Sequence, residues 1–534
     1  MSSCALLQPA LESIAPAAEV PITLGSSKTA KNQIVVAVLV LLALLVGFWP
    51  LFEQPALPMD EGSLLVYPEL ISRGQLPYRD FETFYGPANL WILATAYSAF
   101  GTNIFVERTV GLVYRLVILI AIFGIARRWG VVLGGGTMLI AGMLLIPLQL
   151  AAYAWLGALA CGLIALWLSS LSERKWRCFL AGVFAGLALL FRPDVGPAVI
   201  LAALPLLYGI SWRRRFGYLG GIAVGLLPLA LLTAAVGPTQ VFNNLFLFPV
   251  VHCNPGRRLP LSAAAPSLLG LLFFHFLACA VNLGAGFVVF WRERDKQGAR
   301  LLLATALFSV GLTFQATQRL DIVHFLFPGF LSISLLPISL VVLAQARRAC
   351  HSLSAVRLLA LVSVIATVQT IAPETTLVIR NAFAAAFNTS RSTAIFVAWN
   401  NRPFPFRSAQ AARAAAEMFH DLETSSKAGE RLFVGPADLS RTNYSDTFIY
   451  HLFPQLIPAT YFLEMNPFSA NRPASRLAAD VRTADWLILD RSWDHWDEPN
   501  HSIEHASEAP NEVVRDEFEV RGEYGHFILL RRKS

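Results

Sequence analysis

Long apolar runs separated by short polar segments fill the chain from residue 34 to about residue 372. The first run, 34–52, is about 19 residues long, which is enough for one helix to cross the hydrocarbon core of a bilayer. The pattern predicts eleven spans, at 34–52, 107–126, 131–149, 151–170, 178–191, 196–210, 216–236, 266–290, 301–316, 322–344 and 355–372. The run 88–101 is only about 14 residues long, so it predicts an interfacial helix.

The pattern changes after residue 372, where apolar residues no longer form runs of spanning length. The Ala-rich stretch 406–423 predicts a helix. Short apolar runs predict strands at 431–435, 459–464 and 485–490. Alternation on both sides of 521–525 predicts a terminal strand pair. We therefore expect a small α/β domain over 373–534, after a membrane module over 34–372.

Composition places the chain among polytopic membrane proteins. Hydrophobic residues make up 55% of it and charged residues 14%, with a mean hydropathy of +0.55, which excludes an ordinary soluble domain. Residues 1–33 are rich in Ala, Ser and Pro and predict a disordered cytoplasmic tail. No Walker A or GxGxxG sequence occurs, so a soluble nucleotide is not indicated, and no nucleic-acid partner is expected.

Basic residues between the spans predict the orientation of the chain, because Lys and Arg concentrate in short cytoplasmic loops. With eleven spans, the main basic clusters all fall on one side of the membrane. These clusters are Lys28/Lys31, Arg127/Arg128, Arg174/Lys175/Arg177, Arg213/Arg214/Arg215, Arg292/Arg294/Lys296/Arg300 and Arg347/Arg348. We expect a multi-pass protein of a bacterial plasma membrane with a cytoplasmic N-terminus, a first outer loop at 53–108 and an extracytoplasmic C-terminal domain.

The first outer loop carries an unusual density of acid. Between Pro58 and Pro87 it contains five carboxylates, which are Asp60, Glu61, Glu69, Asp80 and Glu82. Unpaired carboxylates beside hydrocarbon are costly, so their concentration here indicates a functional site. The alternative is that the segment is a solvated hairpin between two helices, because most charge-rich loops are simply exposed to solvent.

Further charged residues fall on the same predicted side, in separate loops or at span ends. They are Arg79, Arg192, Asp194, Arg257, Arg258, Arg319, Asp321 and His324. Carboxylates suited to proton transfer and guanidinium groups suited to phosphate therefore converge at one face. For Arg192 and Asp194 an interfacial ion pair is the alternative. Arg115 lies inside a span and is a secondary candidate, since a charge there is costly unless it reaches the interface.

Metal and disulfide chemistry have little support in the sequence. The histidines are scattered, and neither HExxH nor CxxC occurs. The six cysteines form no disulfide framework, because at most one lies clearly on the outer side. No cofactor is predicted, and a divalent metal is allowed but not indicated.

Several motifs occur in a fixed order at the start of the membrane module. The Asp60–Glu61 pair follows the first span, then come PYRDF, a helix opened by Gly-Pro, an FG pair and an Arg-headed second span. This order resembles the membrane-embedded GT-C glycosyltransferases, and among them the protein O-mannosyltransferase and lipid A aminoarabinose transferase group. The resemblance covers roughly 34–200 and is looser afterwards, with FRPDVG after the fifth span as support. The WWDYG sequence of the oligosaccharyltransferase branch is absent, and no pattern specifies the sugar.

The resemblance implies a fold and an activity. The fold is an all-α polytopic bundle of about eleven helices with a C-terminal extracytoplasmic α/β domain. The activity is transfer of a sugar, hexosyl or pentosyl, from a polyprenyl-phosphate carrier to an acceptor hydroxyl at the outer face, with inversion. The implied partners are the lipid-linked donor, an acceptor that is a glycan, lipid or protein, and the bilayer.

The resemblance also implies roles for residues of this sequence. Asp60 matches the acid that takes the acceptor's proton, with Glu61 as its neighbour and Asp80 or Glu82 as a second acidic element. The candidates for binding the donor phosphate are Arg192, Arg319, Arg257 and Arg258. The secondary candidates are Arg79, Asp194, Asp321, His324 and Arg115.

Two other classes of protein share some of these features. A transporter or lipid flippase also has many spans with buried charges, although transporters typically show repeated halves with broken helices at the midplane. A non-catalytic subunit of a cell-envelope glycan assembly complex would keep the fold without the acid pair. The presence of Asp60 and Glu61 argues against this last class.

Overall fold

The structure is a computed structural model that describes residues 27–170, 175–292, 296–346, 353–388 and 394–534. Its α-helices are α1 (Ser27–Phe48), α2 (Asp60–Ser72), α3 (Pro87–Phe100), α4 (Ile104–Ala126), α5 (Val131–Leu145), α6 (Ala154–Ser170), α7 (Lys175–Phe191), α8 (Gly196–Leu207), α9 (Trp212–Val236), α10 (Pro238–Phe242), α11 (Asn254–Arg257), α12 (Pro266–Arg292), α13 (Lys296–Gln318), α14 (Ile322–Ala346), α15 (Leu353–Ile371), α16 (Pro373–Phe387), α17 (Ala409–Ser425), α18 (Phe448–Leu452), α19 (Leu477–Val481) and α20 (Ala509–Glu517). A π-helix over Asn243–His252 lies between α10 and α11.

Every predicted span coincides with a helix of the structure, and these helices are α1, α4 to α9, and α12 to α15. By length and composition, eight helices of the described ranges could cross a membrane, namely α1, α4, α5, α9, α12, α13, α14 and α15. The other three helices, α6, α7 and α8, have 17, 17 and 12 residues. The count of eleven spans therefore stays a prediction. Of the predicted tail 1–33, residues 1–26 lie outside the described ranges, and the remainder belongs to α1.

Small residues bring α7 and α9 into close contact. A Cβ atom on Gly182 would lie 2.0 Å from the carbonyl oxygen of Tyr218, and one on Gly221 would lie 2.1 Å from that of Phe179. Such spacing lets the two backbones touch, as small residues four apart commonly do in membrane helices.

The segment predicted as the first outer loop forms α2 and α3. A side-chain bond joins the two helices, since the Tyr97 hydroxyl of α3 donates to the Leu64 carbonyl of α2 at 3.0 Å. Gly86, just before α3, is packed so tightly that a Cβ atom there would lie 2.0 Å from the Leu190 carbonyl oxygen at the end of α7. The other face of α3 is exposed at Ile92 and Phe100, which suits the predicted interfacial helix.

The C-terminal part forms the predicted α/β domain. Its strands are β1 (Ile395–Trp399), β2 (Arg402–Phe406), β3 (Arg431–Pro436), β4 (Ile457–Pro458), β5 (Trp486–Asp490), β6 (Phe518–Tyr524) and β7 (Phe527–Arg532). β1 and β2 form an antiparallel pair, and the other five strands form a sheet in the order β4-β3-β5-β7-β6. β3 runs parallel to β4 and β5, whereas β7 runs antiparallel to β5 and β6.

The strand predicted at 459–464 is wrong. Strand β4 ends at Pro458, and the following residues form a loop. Side chains take the backbone N–H groups that a strand would need: the Asp480 carboxylate accepts from Tyr461 N at 2.9 Å, and the Thr460 hydroxyl accepts from Phe462 N at 3.0 Å. Such bonds compete directly with a sheet ladder.

The helical part of the chain continues beyond the predicted boundary at residue 373. Helix α16 packs against α1 and α15, and a Cβ atom on Gly47 of α1 would lie 2.9 Å from the Phe383 ring. The described strands begin only at Ile395. The segment 373–387 therefore belongs structurally with the bundle.

The two ends of the bundle differ in chemistry. At one end, Arg127 donates to the Gln33 side chain at 3.3 Å and Arg128 donates to the Ser170 carbonyl at 3.1 Å. The opposite end carries α2, α3 and the α/β domain, which we call the outer domain. Several residues of the predicted basic clusters lie outside the described ranges, namely Arg174, Arg294, Arg347 and Arg348. Which end faces the cytoplasm stays a prediction.

Candidate active site

Asp60 begins α2 and lies among charged groups of both the bundle and the outer domain, namely Glu61, Arg319, Asp321 and Glu464. The Ser63 hydroxyl donates to the Asp60 backbone carbonyl at 2.9 Å, whereas the Asp60 carboxylate has no hydrogen-bond partner in the described part of the chain. The side chain keeps partial exposure. Desolvation by the surrounding protein, followed by the negative charges of Glu464 and Glu61, raises the pKa of Asp60 to about 7. A carboxyl group in this state is suited to exchange a proton near neutral pH.

Glu61 has a different environment from its neighbour. It is 1% exposed and forms a two-point ion pair with Arg108 of α4, at 2.7 Å and 3.1 Å. Its carboxylate also accepts from Leu57 N at 3.0 Å. Arg108 in turn donates to the carbonyls of Phe52 at 2.7 Å and Gln54 at 2.9 Å. Both oxygens of Glu61 are thus occupied by structural contacts, and its predicted catalytic role stays a prediction.

Glu82 lies in a buried acidic cluster to which the outer domain contributes Glu464. Glu82 is 2% exposed and accepts a short hydrogen bond from Ser469, and Glu464 is 4% exposed. Asn466 donates to Glu464 at 3.1 Å and also lies beside Glu82. Burial, with Glu464 as the largest charge contribution, raises the pKa of Glu82 to about 8. Burial also raises the pKa of Glu464, and one of its oxygens has no partner within the described residues.

Two tyrosines lie between the acids and the arginines. Burial raises the pKa of Tyr85 to about 12. Tyr85 also interacts electrostatically with Glu464, Arg257, Arg192 and Asp60. Tyr444, from the outer domain, feels Arg319, Arg257 and Asp60, and burial raises its pKa as well. These shared interactions place the acids, the tyrosines and the arginines around one space.

Arg192 lies at the end of α7 and is held on three sides. It forms a two-point ion pair with Asp194, at 3.0 Å and 2.5 Å. Its guanidinium also lies over the rings of Tyr85 and Trp155, 5.0 Å and 5.1 Å from their centres. Asp194 is fixed in turn by Gln315 of α13 at 2.8 Å. The structure contains the ion pair that was the alternative to a phosphate-binding role for Arg192, and the phosphate-binding role stays a prediction.

Arg319 joins the bundle to the outer domain. It bonds to Asp321 at 3.0 Å and to Glu498 of the outer domain at 2.9 Å, with a second, short bond to Glu498. Asp321 accepts from the backbone and ring nitrogens of His324 at 2.9 Å. Although burial alone raises the pKa of Asp321, the His324 bonds and the Arg319 charge hold it at about 2. Arg319 thus has two carboxylate partners.

Two arginines of the site have no anionic partner. Arg257 lies over the Phe84 ring at 5.6 Å, and Arg472 of the outer domain lies over the Phe248 ring at 4.8 Å. Among the described residues, neither guanidinium makes a hydrogen bond or an ion pair. Arg257 influences Glu464, and Arg472 influences Glu82. They are therefore the best placed cations for a phosphate group, whereas Arg258 is exposed.

The remaining predicted residues lie outside this cluster. Asp80 pairs with Arg79 at 2.8 Å and accepts from Leu76 N at 2.7 Å, on a surface beyond the end of α2. Arg115 is fully buried and donates to the carbonyls of Gly111, Ala151 and Leu148. These bonds tie Arg115 to the chain at 148–151, and a role for it in ligand binding stays a prediction.

Of the site residues that sequence reasoning missed, Tyr85 lies in the loop before α3, and the others belong to the outer domain. Glu464, Arg472, Tyr444 and Glu498 reach the site through loops between strands. Glu464 ends the apolar run at 459–463, which is a weak signal for a buried acid. The other three carry no local signal, because only the packing of the outer domain brings them to the bundle.

Within the described ranges, one group of side chains is close enough to hold a metal ion. It consists of Asp438, His505 and Glu508, whose ligand atoms lie within 4.8 Å of one another at the surface of the outer domain. His505 and Glu508 are exposed, and Asp438 already bonds to Ser440 and Asn511. The group is separate from Asp60, and the expectation that a metal is not indicated stays a prediction.

The chain combines an apolar helix bundle, an acidic segment after its first helix and a C-terminal α/β domain that rests on that segment. Comparison with solved structures confirms the predicted fold class, a helix bundle with a C-terminal α/β domain, and confirms the predicted resemblance at the level of fold alone. The structure is similar to the crystal structure of ArnT from Cupriavidus metallidurans bound to undecaprenyl phosphate, with a TM-score of 0.55 and 13% sequence identity over 94% of this chain and 98% of that chain. For ArnT of the same organism in the apo state the TM-score is 0.52 and the identity 14%, with the same coverage.

At these identities the similarity is one of fold. No protein-family model matches the chain, and a search of curated proteins gave no match.

Proposed function

We propose that this chain is a membrane glycosyltransferase that moves a sugar from a polyprenyl-phosphate carrier to an acceptor hydroxyl at the outer face of the membrane. The observation that carries the proposal is the state of Asp60, a carboxyl with a pKa of about 7 and no hydrogen bond within the described residues. Arg319 is the arginine that acts on Asp60 directly, and Arg257 acts on Glu464 and Tyr85 beside it. The neighbour ArnT, which has the same fold, is bound to undecaprenyl phosphate.

Asp60 is the proposed general base. The acceptor hydroxyl gives its proton to the Asp60 carboxylate while its oxygen forms a bond to the sugar carbon. The bond between that carbon and the phosphate oxygen breaks on the opposite side, so the configuration inverts. A base with a pKa near the working pH gives the largest product of deprotonated fraction and proton affinity.

Arg257 and Arg472 are the proposed ligands of the donor phosphate. Charge develops on the phosphate as the sugar leaves, and guanidinium groups fixed in advance stabilise it more strongly than water does. Arg192 is the next candidate, since its ion pair with Asp194 leaves it facing Tyr85. Arg319 is the weakest of the predicted set because Asp321 and Glu498 already hold it.

A transporter or flippase is less well supported. The charged residues of the site gather at one end of the bundle and under the outer domain, whereas transporter sites typically lie at the midplane between repeated halves. A non-catalytic subunit has no need of an unpartnered acid, which costs stability when it is desolvated.

The proposal is tested by the substitution Asp60→Asn. It keeps size and most hydrogen bonding but removes proton acceptance, and loss of a general base costs about 10²–10⁴-fold in rate. Mass spectrometry of lipid-linked sugars in cells lacking the gene identifies the accumulated donor. Cells carrying Asp60→Asn should accumulate the same lipid, while the purified variant still binds undecaprenyl phosphate.

The matched control is Asp516→Asn, an exposed carboxylate on α20 of the outer domain, which should clear the donor lipid as wild type does. If cells carrying Asp60→Asn cleared the lipid-linked donor as wild type does, Asp60 would not be the general base. Absence of any lipid-linked sugar that depends on the gene would refute the proposed function as a whole.

A further inference from the structure

A second cavity lies at the opposite end of α2 from Asp60. Its volume is about 500 Å³, and its floor is formed by Leu70, Phe81 and Leu463, each at most 3% exposed. Since an α-helix rises about 1.5 Å per residue, Arg73 at the end of α2 is about 20 Å from Asp60. The lining contains none of the acids or arginines of the Asp60 site.

Four arginines from two parts of the chain line this cavity. Arg73 and Arg79 belong to the segment after α2, and Arg431 and Arg476 belong to the outer domain. Asp80 is the one acidic residue of the lining, and it is held by Arg79. The side chains of Arg73, Arg79 and Arg476 are 38%, 50% and 60% exposed, so they are accessible to a ligand from outside.

Arg431 and Arg476 each have hydrogen-bond donors without an acceptor among the described residues. Arg431 uses its Nε to reach the Thr483 hydroxyl at 3.1 Å, and its two terminal nitrogens have no acceptor among the described residues. Arg476 likewise uses only Nε, bonding to Asp480 at 2.9 Å, while its guanidinium rests over the Tyr461 ring at 5.3 Å. One bond holds Arg431, and one bond with the Tyr461 ring holds Arg476, so the terminal nitrogens of both groups are left for another partner.

Charge balance also favours an anion in the cavity. Arg73 shares Glu69 with Arg402, which binds that carboxylate at 2.8 Å and 2.9 Å. Among the described residues, three carboxylates bond to these guanidinium groups, Glu69, Asp80 and Asp480, whereas the guanidinium groups number five, those of Arg73, Arg79, Arg402, Arg431 and Arg476. Like charges held in one concave surface repel one another and attract counter-ions, so a bound anion relieves the repulsion.

We propose that this cavity is a phosphate-binding site distinct from the donor site. The planar fork of guanidinium matches two phosphate oxygens at once, and arginines from two walls surround the phosphate group. The phosphate belongs either to the headgroup of a bilayer lipid or to the acceptor molecule. The acceptor assignment alone rests on the proposed function, because it requires transfer about 20 Å away at Asp60.

The test measures pyrophosphate binding by calorimetry to the full chain in nanodiscs of phosphatidylcholine. The variants are Arg431→Gln/Arg476→Gln on one wall and Arg73→Gln/Arg79→Gln on the other, with Arg515→Gln, an exposed arginine of α20, as the matched control. Each wall variant should raise the dissociation constant of pyrophosphate at the cavity site by about tenfold or more. Arg257→Gln/Arg472→Gln should leave pyrophosphate binding at the cavity site unchanged. Thermal unfolding verifies that all variants are folded.

Two further measurements separate the sources of the phosphate. If a bilayer lipid is the ligand, adding phosphatidylglycerol to the nanodiscs displaces pyrophosphate from wild type only. If the acceptor is the ligand, phosphatidylglycerol has no effect, and cells carrying the wall variants accumulate lipid-linked donor. Pyrophosphate binding by both wall variants equal to that of wild type would overturn the site, whether or not the chain proves to be a transferase.

Discussion

Asp60 and Glu61 are adjacent in the sequence and have opposite roles in the structure. Successive residues of an α-helix point about 100° apart, so one side chain of α2 faces the bundle while the next faces the polar space. Glu61 meets Arg108 in the bundle. Asp60 meets Glu464 across the space. The sequence identified the pair as important but could not divide these roles, because the division depends on which face of α2 packs against α4.

At the residue scale we predict that Glu464→Gln moves the acidic limb of the pH–rate profile to lower pH. After desolvation, Glu464 is the largest influence that raises the pKa of Asp60. Removing this negative charge favours ionised Asp60, so its pKa falls and the active carboxylate persists to lower pH. The variant should keep a larger fraction of its maximal rate at pH 6 than wild type does.

The control for this experiment is Glu512→Gln, an exposed acid on α20, which should leave the profile unchanged. If the acidic limb of the pH–rate profile lies at the same pH in the Glu464→Gln variant as in wild type, the Glu464 charge does not affect the pKa of Asp60. A limb that moves to higher pH would contradict the sign of the interaction.

At the element scale, α2 is the part of the chain to which the bundle and the outer domain both attach. Arg108 of α4 fixes its start, and Arg402 of β2 binds Glu69 near its end. A Cβ atom on Gly62 would lie 2.4 Å from Phe448 N of α18, so the outer domain rests directly on α2. The helix thus sets the distance between Asp60 and Glu464.

We predict that Arg108→Met destabilises the protein by about 3–5 kcal/mol, because it leaves the Glu61 carboxylate buried without its partner. The midpoint of thermal unfolding in detergent should fall clearly. The double variant Glu61→Gln/Arg108→Met removes both charges and should recover much of the loss. If the double variant were less stable than Arg108→Met alone, the pair would not account for the stability of this contact.

At the scale of the whole molecule, polar chemistry separates to the two ends of the bundle. Arg127 and Arg128 lie at one end with Gln33 and Ser170, and the Asp60 site lies at the other. This separation agrees with the orientation that the basic clusters predict. The native Cys253 is unsuitable for testing it, because the thiol is buried and burial raises its pKa to about 12.

We predict that cysteines introduced at two exposed positions of a cysteine-free chain report opposite sides of the membrane. Ser262→Cys, in the segment before α12, should react with a membrane-impermeant thiol reagent in intact cells. Ser211→Cys, between α8 and α9, should react only after permeabilisation. Labelling of both residues from the same side would exclude the alternation of eleven spans, and the reverse pattern would invert the orientation.

The sequence by itself determined the polytopic membrane class, the positions of the eleven apolar helices and the acidic segment, but it predicted neither α2 nor α16. These follow from local physics, since about 20 apolar residues suffice for a span and short alternating runs suffice for strands. It also singled out Asp60 and Glu82. It did not predict the loop at 459–464. There the side chains of Asp480 and Thr460 accept hydrogen bonds from backbone N–H groups that the expected strand would use in a sheet.

Only the tertiary structure decided which charges act together. Glu464, Arg472, Tyr444 and Glu498 are far from Asp60 in the chain and reach it because the outer domain packs on α2. The same packing pairs Arg319 with Glu498 and leaves Arg257 without an anionic partner among the residues that the structure describes. Whether a charge is free or paired depends on neighbours within a few ångströms, and residue order alone does not supply that information.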